Sequence, residues 1–558
     1  MTPRSVGVSK MWGRKVDNRL LEVKNLSVDF HTSYGTVHAV RDVSWHLDRG
    51  ETLAILGESG SGKSVSASAI LNLIDMPPGE ITSGEILFEG RDVLKMFPEE
   101  RRQLNGCRIA MIFQDPLSHL NPVYSIGFQI AETMTAHGRN KGETRAKTIE
   151  LLKRVGLPDA ETKIDAYPHQ FSGGQRQRIM IAMALALKPD ILIADEPTTA
   201  LDVTVQAQIL ALLEELQQET GMGLLLITHD LGVVAEVADR VVVMKSGEIV
   251  ETGTASEVYH NPHHPYTKKL IAAIPGEGEM AEPLNIETKP VLEISKLTKH
   301  YGALVALDNV SLKVLPGESV AIVGESGSGK STLAKTILRL EEATSGTALF
   351  NGQDLISMDA KDLFKVRRDI QMVFQDPTQS LNPRMSIYDV ISEAFVIHPD
   401  ILERRHWKTR VCELLEQVGL KSEHMNRHPH QFSGGQRQRI AIARALALEP
   451  KLIVCDEAVS ALDVSIQAQV LALLTKLQSD LGLSYLFIAH DLPLVRDFAH
   501  RVIVMQGGKI VEQGPVGQIF DAPREDYTRN LIAASLSPDP VIQAQRRATR
   551  KELQGATS

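Results

Sequence analysis

The residues with the clearest chemical potential form two glycine-rich segments that each end in lysine and serine. They are Gly57, Glu58, Ser59, Gly60, Ser61, Gly62, Lys63 and Ser64, and then Gly324, Glu325, Ser326, Gly327, Ser328, Gly329, Lys330 and Ser331. Both match the spacing G-x-x-x-x-G-K-S and follow a short aliphatic run that is typical of a buried strand. In such a loop the backbone N–H groups turn towards a phosphate chain, and the next helix adds its positive end. The lysine reaches the outer phosphates and the serine hydroxyl binds Mg2+, so both segments predict binding of a triphosphate.

Each half also contains an aliphatic run that ends in two acids, Asp195-Glu196 and Asp456-Glu457. Continuous aliphatic residues indicate a parallel strand covered on both faces, and ligands of such sheets bind beyond the carboxyl ends of the strands. We therefore expect Asp195 and Asp456 beside the phosphate loops as Mg2+ ligands. Glu196 and Glu457 are expected to orient and polarise the attacking water, because phosphoryl transfer needs a carboxylate at the nucleophile.

The motifs recur in the same order, which indicates that the chain of 558 residues is a duplication of one unit. Lys330 lies 267 positions after Lys63, and the later motifs recur at a constant 261 positions. Repeats that stack into a solenoid have periods of only about 20–50 residues. We predict a basic N-terminal tail over residues 1–19, a first domain over 20–275 and a linker over 276–290. A second domain over 291–535 and a C-terminal tail over 536–558 follow.

The composition argues against several classes of function. A net charge of −9 disfavours general nucleic-acid binding, which needs a basic surface. The three cysteines, Cys107, Cys412 and Cys455, are far apart and predict neither a disulfide framework nor a metal cluster. No apolar stretch approaches the length of about 20 residues that a membrane span needs. The basic N-terminal tail lacks the apolar segment of a signal peptide.

A third repeated motif, Phe-Ser-Gly-Gly-Gln, precedes a strongly helical stretch in each half. Ser172 and Ser433 are placed as N-caps, and Gly174 and Gly435 follow them, so N–H groups at the helix start stay open to an anion. Between a phosphate loop and an acid pair, this motif resembles the signature of ATP-binding cassette (ABC) proteins.

The resemblance covers nearly all of both halves, roughly residues 20–275 and 290–535. It implies an α/β fold of two tandem P-loop NTPase cassettes, each with a mixed-sheet core and an α-helical signature subdomain. It also implies an ATPase.

Further residues take expected roles from the resemblance. Gln114 and Gln375 look like the glutamines that meet Mg2+ and water and sense the membrane partner. His229 and His490 look like the switch histidines that contact the γ-phosphate.

Aromatic and acidic residues complete the expected sites. Tyr301 is expected to stack on adenine. Tyr34 is its preferred counterpart because it keeps the offset of 267 positions, whereas Phe30 keeps the strand register and stays the alternative. Asp202 and Asp463 resemble the aspartates that cross the seam between paired cassettes.

In this family two cassettes pair head to tail, and ATP held by one phosphate loop is covered by the signature of the other. The resemblance implies a first site made of Lys63, Ser64, Asp195, Glu196, His229, Ser433 and Gly435. It implies a second site made of Lys330, Ser331, Asp456, Glu457, His490, Ser172 and Gly174. Both sets are complete, which predicts two hydrolytic sites. Pro197 is replaced by Ala458 after the second glutamate, and this predicts a looser turn and a slower second site.

Three features narrow the family: the Asp-Pro-rich segment after each glutamine, the Gly-Glu-Ser-Gly-Ser-Gly-Lys-Ser loops, and a tail with His-Pro-Tyr-Thr or its remnant. Together they resemble the ATPase subunits of oligopeptide, dipeptide and nickel importers, and the fusion resembles the microcin C/peptide and glutathione importer ATPases. The expected function is the ATP-hydrolysing energy-coupling subunit of an importer of peptides or a related small solute. The alternatives are the fused ATPase of a sugar or opine importer, or a soluble twin-cassette ATPase that acts on ribosomes or DNA.

The importer resemblance also implies cofactors and partners. These are ATP and Mg2+, two separate transmembrane permease subunits and an extracytoplasmic solute-binding protein, with no nucleic acid. The chain is expected at the cytoplasmic face of the bacterial inner membrane as a peripheral protein. No iron–sulfur cluster is expected, because no cysteine follows Cys107 in the first half or Cys455 in the second.

Overall fold

The computed structural model describes two units of the chain. It covers residues 18–33, 35–199, 201–276, 278, 280–282, 284, 288–460 and 462–556, with backbone alone at 377, 378 and 551–556. Unit 1 comprises the described residues up to Pro197 together with Ile209–His229 and Val237–His264. Unit 2 comprises Thr198–Gln208, Asp230–Glu236 and the described residues from Pro265 onward.

Unit 1 contains two sheets. The strands are β1 (Arg19–Thr32), β2 (Gly35–Asp48), β3 (Thr52–Leu56), β4 (Gly79–Phe88), β5 (Arg91–Asp92), β6 (Ile109–Ile112), β7 (Ile191–Asp195), β8 (Gly223–Thr228), β9 (Arg240–Lys245) and β10 (Glu248–Thr254). One sheet is antiparallel with the order β2-β1-β4-β5. The other has the order β10-β9-β3-β8-β7-β6, in which only the β9–β10 pair is antiparallel. Every residue of β3, β7 and β8 is buried, as their continuous aliphatic sequences predict.

The α-helices of the sequence before Pro265 belong mainly to unit 1. They are α1 (Lys63–Leu71), α2 (Pro98–Leu104), α3 (Pro116–His119), α4 (Ile126–Ala136), α5 (Lys141–Arg154), α6 (Ala160–Lys163), α7 (Gly173–Ala184), then α8 (Val203–Thr220), α9 (Leu231–Val237) and α10 (Ala255–His260). The helices α4, α5 and α7 contact one another and form the helical signature subdomain. The first six residues of α8 and all of α9 except Val237 belong to unit 2.

Unit 2 repeats the same element order. Its strands are β11 (Leu292–Tyr301), β12 (Leu304–Val314), β13 (Ser319–Val323), β14 (Ser345–Phe350), β15 (Gln353–Asp354), β16 (Ile370–Val373), β17 (Leu452–Asp456), β18 (Ser484–Ile488), β19 (Arg501–Gln506) and β20 (Lys509–Pro515). They form an antiparallel sheet β12-β11-β14-β15 and a mixed sheet β16-β17-β18-β13-β19-β20. Buried aromatic rings pack against one another at tilted angles in the core of unit 2, where Tyr485 donates its hydroxyl to Leu474 O at 3.0 Å.

The helices of unit 2 include one that follows the duplicated region. The set is α11 (Pro265–Ala272), α12 (Lys330–Ile337), α13 (Ala360–Val366), α14 (Pro377–Ser380), α15 (Ile387–Ile397), α16 (Trp407–Gln417), α17 (Gly434–Leu446), α18 (Val464–Leu481), α19 (Leu492–Phe498), α20 (Val516–Asp521), α21 (Asp526–Ala534) and α22 (Pro540–Ala556). Within the described parts of the chain, no helix combines the length and apolarity that a membrane crossing requires.

These elements confirm the predicted fold class of two tandem α/β cassettes, each with a mixed sheet and a helical subdomain. The domain limits read from the sequence stay predictions. Contacts group the chain differently, because the tail from Pro265 onward and two short segments of the first half belong to unit 2. Most of the predicted N-terminal tail lies outside the described residues, and β1 begins at Arg19.

Candidate active sites

The first phosphate loop closes tightly between β3 and α1. Gly62 caps α1 in the left-handed region with a φ of 98°. A Cβ atom added to Gly57 would lie 2.4 Å from Met244 O on β9, so only glycine fits there. Lys63 is buried and donates from Nζ to Gly57 O at 2.6 Å and to Glu58 O at 2.9 Å. The lysine ammonium therefore lies inside its own loop, where the phosphates of a nucleotide would be bound.

The second loop has the same geometry between β13 and α12. Lys330 donates from Nζ to Gly324 O at 2.7 Å and to Glu325 O at 2.9 Å. Burial lowers the pKa of Lys330, although nearby carboxylates, first that of Glu457, act in the opposite direction. Two loops built alike on two copies of the fold indicate two phosphate sites.

A serine and an aspartate pair at each loop, as the sequence predicts. Ser64 Oγ donates to Asp195 Oδ1 at 3.1 Å, and Ser331 Oγ donates to Asp456 Oδ1 at 3.0 Å. Burial, together with the like charge of the neighbouring glutamate, raises the pKa of Asp195 to about 6 and also raises that of Asp456. Each site thus holds a buried carboxylate whose charged form a cation would stabilise.

The donors at this place fit Mg2+. Hydroxyl and carboxylate oxygens are the ligands that Mg2+ prefers when it also binds phosphates. Ser61 Oγ, in the same loop as Ser64, is buried and has no hydrogen-bond partner among the described residues. A phosphate oxygen would satisfy such a group.

The glutamate of the first site is held by two side chains. Gln114 Nε2 donates to Glu196 Oε2 at 2.7 Å, and His229 Nδ1 lies 3.0 Å from Glu196 Oε1. Glu196 has a φ of 46°, and its backbone N–H donates to Ile227 O at 2.8 Å on the neighbouring strand. A positive φ in a residue other than glycine is often found at functional sites. The carboxylate is fixed at the carboxyl end of the sheet, one residue after Asp195.

The second site repeats this arrangement with one difference. Gln375 Nε2 donates to Glu457 Oε2 at 2.6 Å, whereas His490 Nδ1 lies 3.7 Å from the same oxygen. The imidazole of His490 lowers the pKa of Glu457. Burial opposes charge on His490, but the Glu457 carboxylate outweighs it and raises the pKa of that histidine. The backbone at Glu457 has a φ of 47°, close to that of Glu196, and the looser turn expected from the exchange of Pro197 for Ala458 stays a prediction.

Each signature serine caps a helix, as predicted from the sequence. Ser172 Oγ accepts from Gln175 N at 3.3 Å, and Gln175 Oε1 accepts from Ser172 N at 3.1 Å, which forms a capping box at α7. Ser433 and Gln436 make the same pair of bonds at α17. Ser172 and Ser433 are both exposed, and the N–H groups of a helix start suit an anion.

The second glycine of the signature leaves no room for a side chain in unit 2. A Cβ atom on Gly435 would lie 2.3 Å from Ile466 Cγ2 on α18. Gly174 occupies the same place in the motif of unit 1. Within each unit, the lysine, serine, acid pair, glutamine and histidine come together; the assignment of each signature to the opposite site stays a prediction.

The expected adenine contacts stay predictions as well. Tyr301 is 43% exposed at the end of β11, and Lys299 Nζ lies 4.6 Å from its ring centre. Tyr34 lies outside the described residues. Phe30 is half-buried and packs against the core next to Gly79.

The structure adds residues that the sequence left unassigned. In unit 2, Thr204 Oγ1 lies 2.8 Å from Glu325 Oε1 in the second phosphate loop and 2.8 Å from Asp202 Oδ1. Tyr527 accepts at its hydroxyl from Glu325 N at 3.1 Å. The signal was available for Tyr527, because its Tyr-Thr pair repeats Tyr266-Thr267 after 261 positions.

Two family models match the chain. The one described as "ABC transporter" matches residues 40–199 and 307–460. The one described as "Oligopeptide/dipeptide transporter, C-terminal region" matches residues 250–299 and 511–557. The second match covers the tails after each cassette.

Named relatives resemble the chain along its whole length. It is 47% identical over 569 residues to the "Glutathione import ATP-binding protein GsiA" of Escherichia coli (strain K12), covering 95% of this chain and 91% of that protein. The protein of the same name from Salmonella typhimurium (strain LT2) is 46% identical over 568 residues, covering 94% and 91%. Among solved structures, cbiO1 from Clostridium perfringens is 30% identical with a TM-score of 0.39, covering 42% of this chain and 92% of that one.

Proposed function

Because this chain belongs to the ABC transporter family of ATP-binding proteins, we propose that it hydrolyses Mg-ATP at two sites and couples hydrolysis to solute import. The observation that carries the proposal is the same set of contacts in both cassettes. Each lysine lies inside its phosphate loop, each serine pairs with an aspartate, and each glutamate accepts from a glutamine beside a histidine.

The chain's own groups divide the work of hydrolysis at the first site. The loop N–H groups and Lys63 bind the phosphates, and Ser64 with Asp195 would hold Mg2+. When bound, Mg2+ neutralises charge on the phosphates as the bond to the leaving group breaks. Gln114 and His229 fix the carboxylate of Glu196, which orients the attacking water and accepts its proton. The water oxygen bonds to the γ-phosphorus, the bond to ADP breaks, and ADP and phosphate leave.

The two sites are shared between the cassettes in this proposal. Ser433 and Gly435 complete the site of Lys63, and Ser172 and Gly174 complete the site of Lys330. Thr204 supports this pairing, because this residue of the first cassette contacts the loop residue Glu325 within unit 2.

The charge of a neighbouring aspartate gives a second line of support. Asp202, from the same segment of the first cassette as Thr204, raises the pKa of Lys330, against the larger lowering effect of burial. A segment of one cassette beside the phosphate loop of the other is what head-to-tail pairing requires.

As the ATP-binding subunit of an importer, the chain works with membrane permease partners and associates with the membrane peripherally. We propose that its partners are two permease subunits and an extracytoplasmic solute-binding protein. We also propose that the chain lies on the cytoplasmic face of the bacterial inner membrane. The exposed segment after Gln114 supports docking of the chain on its permease partners. It presents Leu117, Val123, Tyr124 and Phe128, which are 59%, 70%, 46% and 48% exposed.

The proposed solute is glutathione or a short peptide of similar size. The support is that relatives 46–47% identical over nearly the whole chain are glutathione import ATP-binding proteins. An ATPase subunit contacts the permease rather than the solute, so this assignment is tested on the binding protein.

A purification experiment tests the proposal. The tagged chain is expressed together with two candidate permease subunits from the same organism, extracted in detergent and assayed for ATPase activity. We expect both permeases to co-purify and the ATPase rate to rise when the loaded binding protein is added. Co-sedimentation with ribosomes in place of the permeases would contradict the proposal.

A further inference from the structure

Two acids occupy the same position on the helices that follow the switch histidines. Glu236 lies near the end of α9, seven residues after His229, and Asp497 lies near the end of α19, seven residues after His490. The two acids are 261 positions apart, which is the offset of the duplicated motifs. Neither acid belongs to the phosphate sites described above.

Glu236 is bound by the C-terminal tail of the chain within unit 2. Its side chain is 1% exposed, and Arg550 and Gln543, both on α22, donate to its two carboxylate oxygens. Arg547 Nε lies 3.7 Å from Oε1. Gln543 is itself fully buried and accepts from Ser537 N at 2.5 Å. A carboxylate buried this far from water needs cations and hydrogen-bond donors around it, and α22 supplies both, so α9 and α22 are held together here.

A glycine brings the tail against the same helix. A Cβ atom on Gly232 in α9 would lie 2.8 Å from Leu536 Cβ. The backbone of α9 and the tail are therefore in direct contact at a second point, one turn before Glu236. Both contacts are internal to unit 2.

Asp497 is bound by the chain between the two cassettes in a corresponding way. Gly276 N donates to Asp497 Oδ2 at 2.6 Å, and Arg496 donates to Gly276 O. Gly276 has a φ of 93°, and a Cβ atom there would lie 3.0 Å from Pro493 Cβ at the start of α19. The linker thus reaches both ends of a helix of two turns.

These helices start close to the switch histidines. Asp230 and Asp491 immediately follow His229 and His490, and Asp491 caps α19 by accepting from Leu494 N at 3.3 Å. A shift of α9 or α19 would therefore be passed to the histidine through one intervening residue. A misplacement of about 1 Å at a catalytic group can cost about 100-fold in rate.

We propose that Glu236 and Asp497 are positioning residues, each of which fixes the helix after one switch histidine to a tail of the chain. The C-terminal tail supports the site of His229, and the linker after the first cassette supports the site of His490. Each histidine is therefore held by the segment that follows the opposite cassette in the sequence. This inference rests on the proposed function.

Site-specific kinetics of the full chain test the inference. In a Glu457→Gln background only the first site turns over, and in a Glu196→Gln background only the second does. Arg550→Ala is expected to lower kcat at least about tenfold in the first background. We expect the KM for ATP to stay within about twofold, because neither residue touches the nucleotide. The same change is expected to leave the second background unaffected.

The chain offers matched controls. Arg546→Ala removes a guanidinium one turn away on α22 that donates to Ser535 O at 2.9 Å, and it is expected to leave both rates within about twofold. Arg550→Lys keeps the charge and is expected to restore part of the rate. Asp497→Asn is expected to lower the rate in the Glu196→Gln background, where the second site turns over, and to leave the rate in the Glu457→Gln background unaffected.

Hydrogen exchange separates positioning from a general loss of stability. Arg550→Ala is expected to speed exchange of the α9 amides while those of α19 stay protected. Equal rate losses at both sites, equal exchange in both helices, or full activity of Arg550→Ala would overturn the inference. If neither single-glutamine background hydrolysed ATP, the proposed function itself would fail, which is a different result.

Discussion

Exchange of Glu196 for glutamine tests the chemistry of the first site with a change of one atom. The carboxylate accepts from Gln114 Nε2 at 2.7 Å and lies 3.0 Å from His229 Nδ1. An amide has one oxygen, so its NH2 group would face one of these two nitrogens, and it does not accept a proton from water at neutral pH. Loss of a general base lowers the rate about 10²–10⁴-fold, which is about 2.7–5.4 kcal/mol of barrier at the affected site.

The measurement is the steady-state ATPase rate of four chains: unchanged, Glu196→Gln, Glu457→Gln and the double variant. Each single variant keeps one working site, and the double variant is expected to retain at most about 1% of the rate. We expect Glu196→Gln to lower the ATPase rate more than Glu457→Gln does. The first histidine lies 3.0 Å from its glutamate and the second 3.7 Å, so the first site is better aligned.

Two results would refute this reasoning. A double variant that keeps more than about a tenth of the rate would show that these carboxylates are not the general bases. Equal losses from the two single variants would remove the argument for unequal sites, which rests on the exchange of Pro197 for Ala458 and on the histidine distances of 3.0 Å and 3.7 Å.

Three further predictions follow from burial, surface chemistry and the oxygen ligands. Burial raises the pKa of the Cys455 thiol to about 12, so alkylation at neutral pH should label Cys107 and Cys412 first. Peptide mass spectrometry would show the order of labelling, and early labelling of Cys455 would contradict its packing. Val123→Arg places a charge on the exposed apolar segment after Gln114. It should reduce co-purification with the permeases, while the ATPase activity of the isolated chain persists. Unchanged co-purification would argue against docking of the permeases on this segment. Chelation of Mg2+ should lower hydrolysis by more than about 100-fold and leave ATP binding measurable by equilibrium dialysis, and hydrolysis that survives chelation would contradict the Mg2+ assignment.

The sequence predicted the elements that position the sites because their physical signals are local. Continuous aliphatic runs marked β7 and β17, and parallel strands bring their carboxyl ends to one edge of a sheet. Asp195 and Asp456 consequently lie beside the serines of the phosphate loops, as expected. The caps at Ser172 and Ser433 were also readable, because a serine followed by glutamine three residues later forms a capping box.

Contacts between distant segments could not be read in the same way. Glu236 meets Gln543 across 307 positions, and Thr204 meets Glu325 across 121. Neither pair has a local pattern, since the burial of Glu236 depends on where α22 folds back. The only available signal was the repetition of an acid at 236 and 497, and a repeated acid alone does not say what it binds.

The central claim is that each phosphate loop binds ATP and is closed by the signature of the other cassette. Nucleotide retention by the Glu196→Gln, Glu457→Gln double variant tests it most directly. After gel filtration with Mg-ATP, the account predicts two ATP molecules per chain, and an added Ser433→Arg change should release only the nucleotide that photolabels the Lys63 loop. Retention of no nucleotide, or loss from the Lys330 loop on that change, would contradict it.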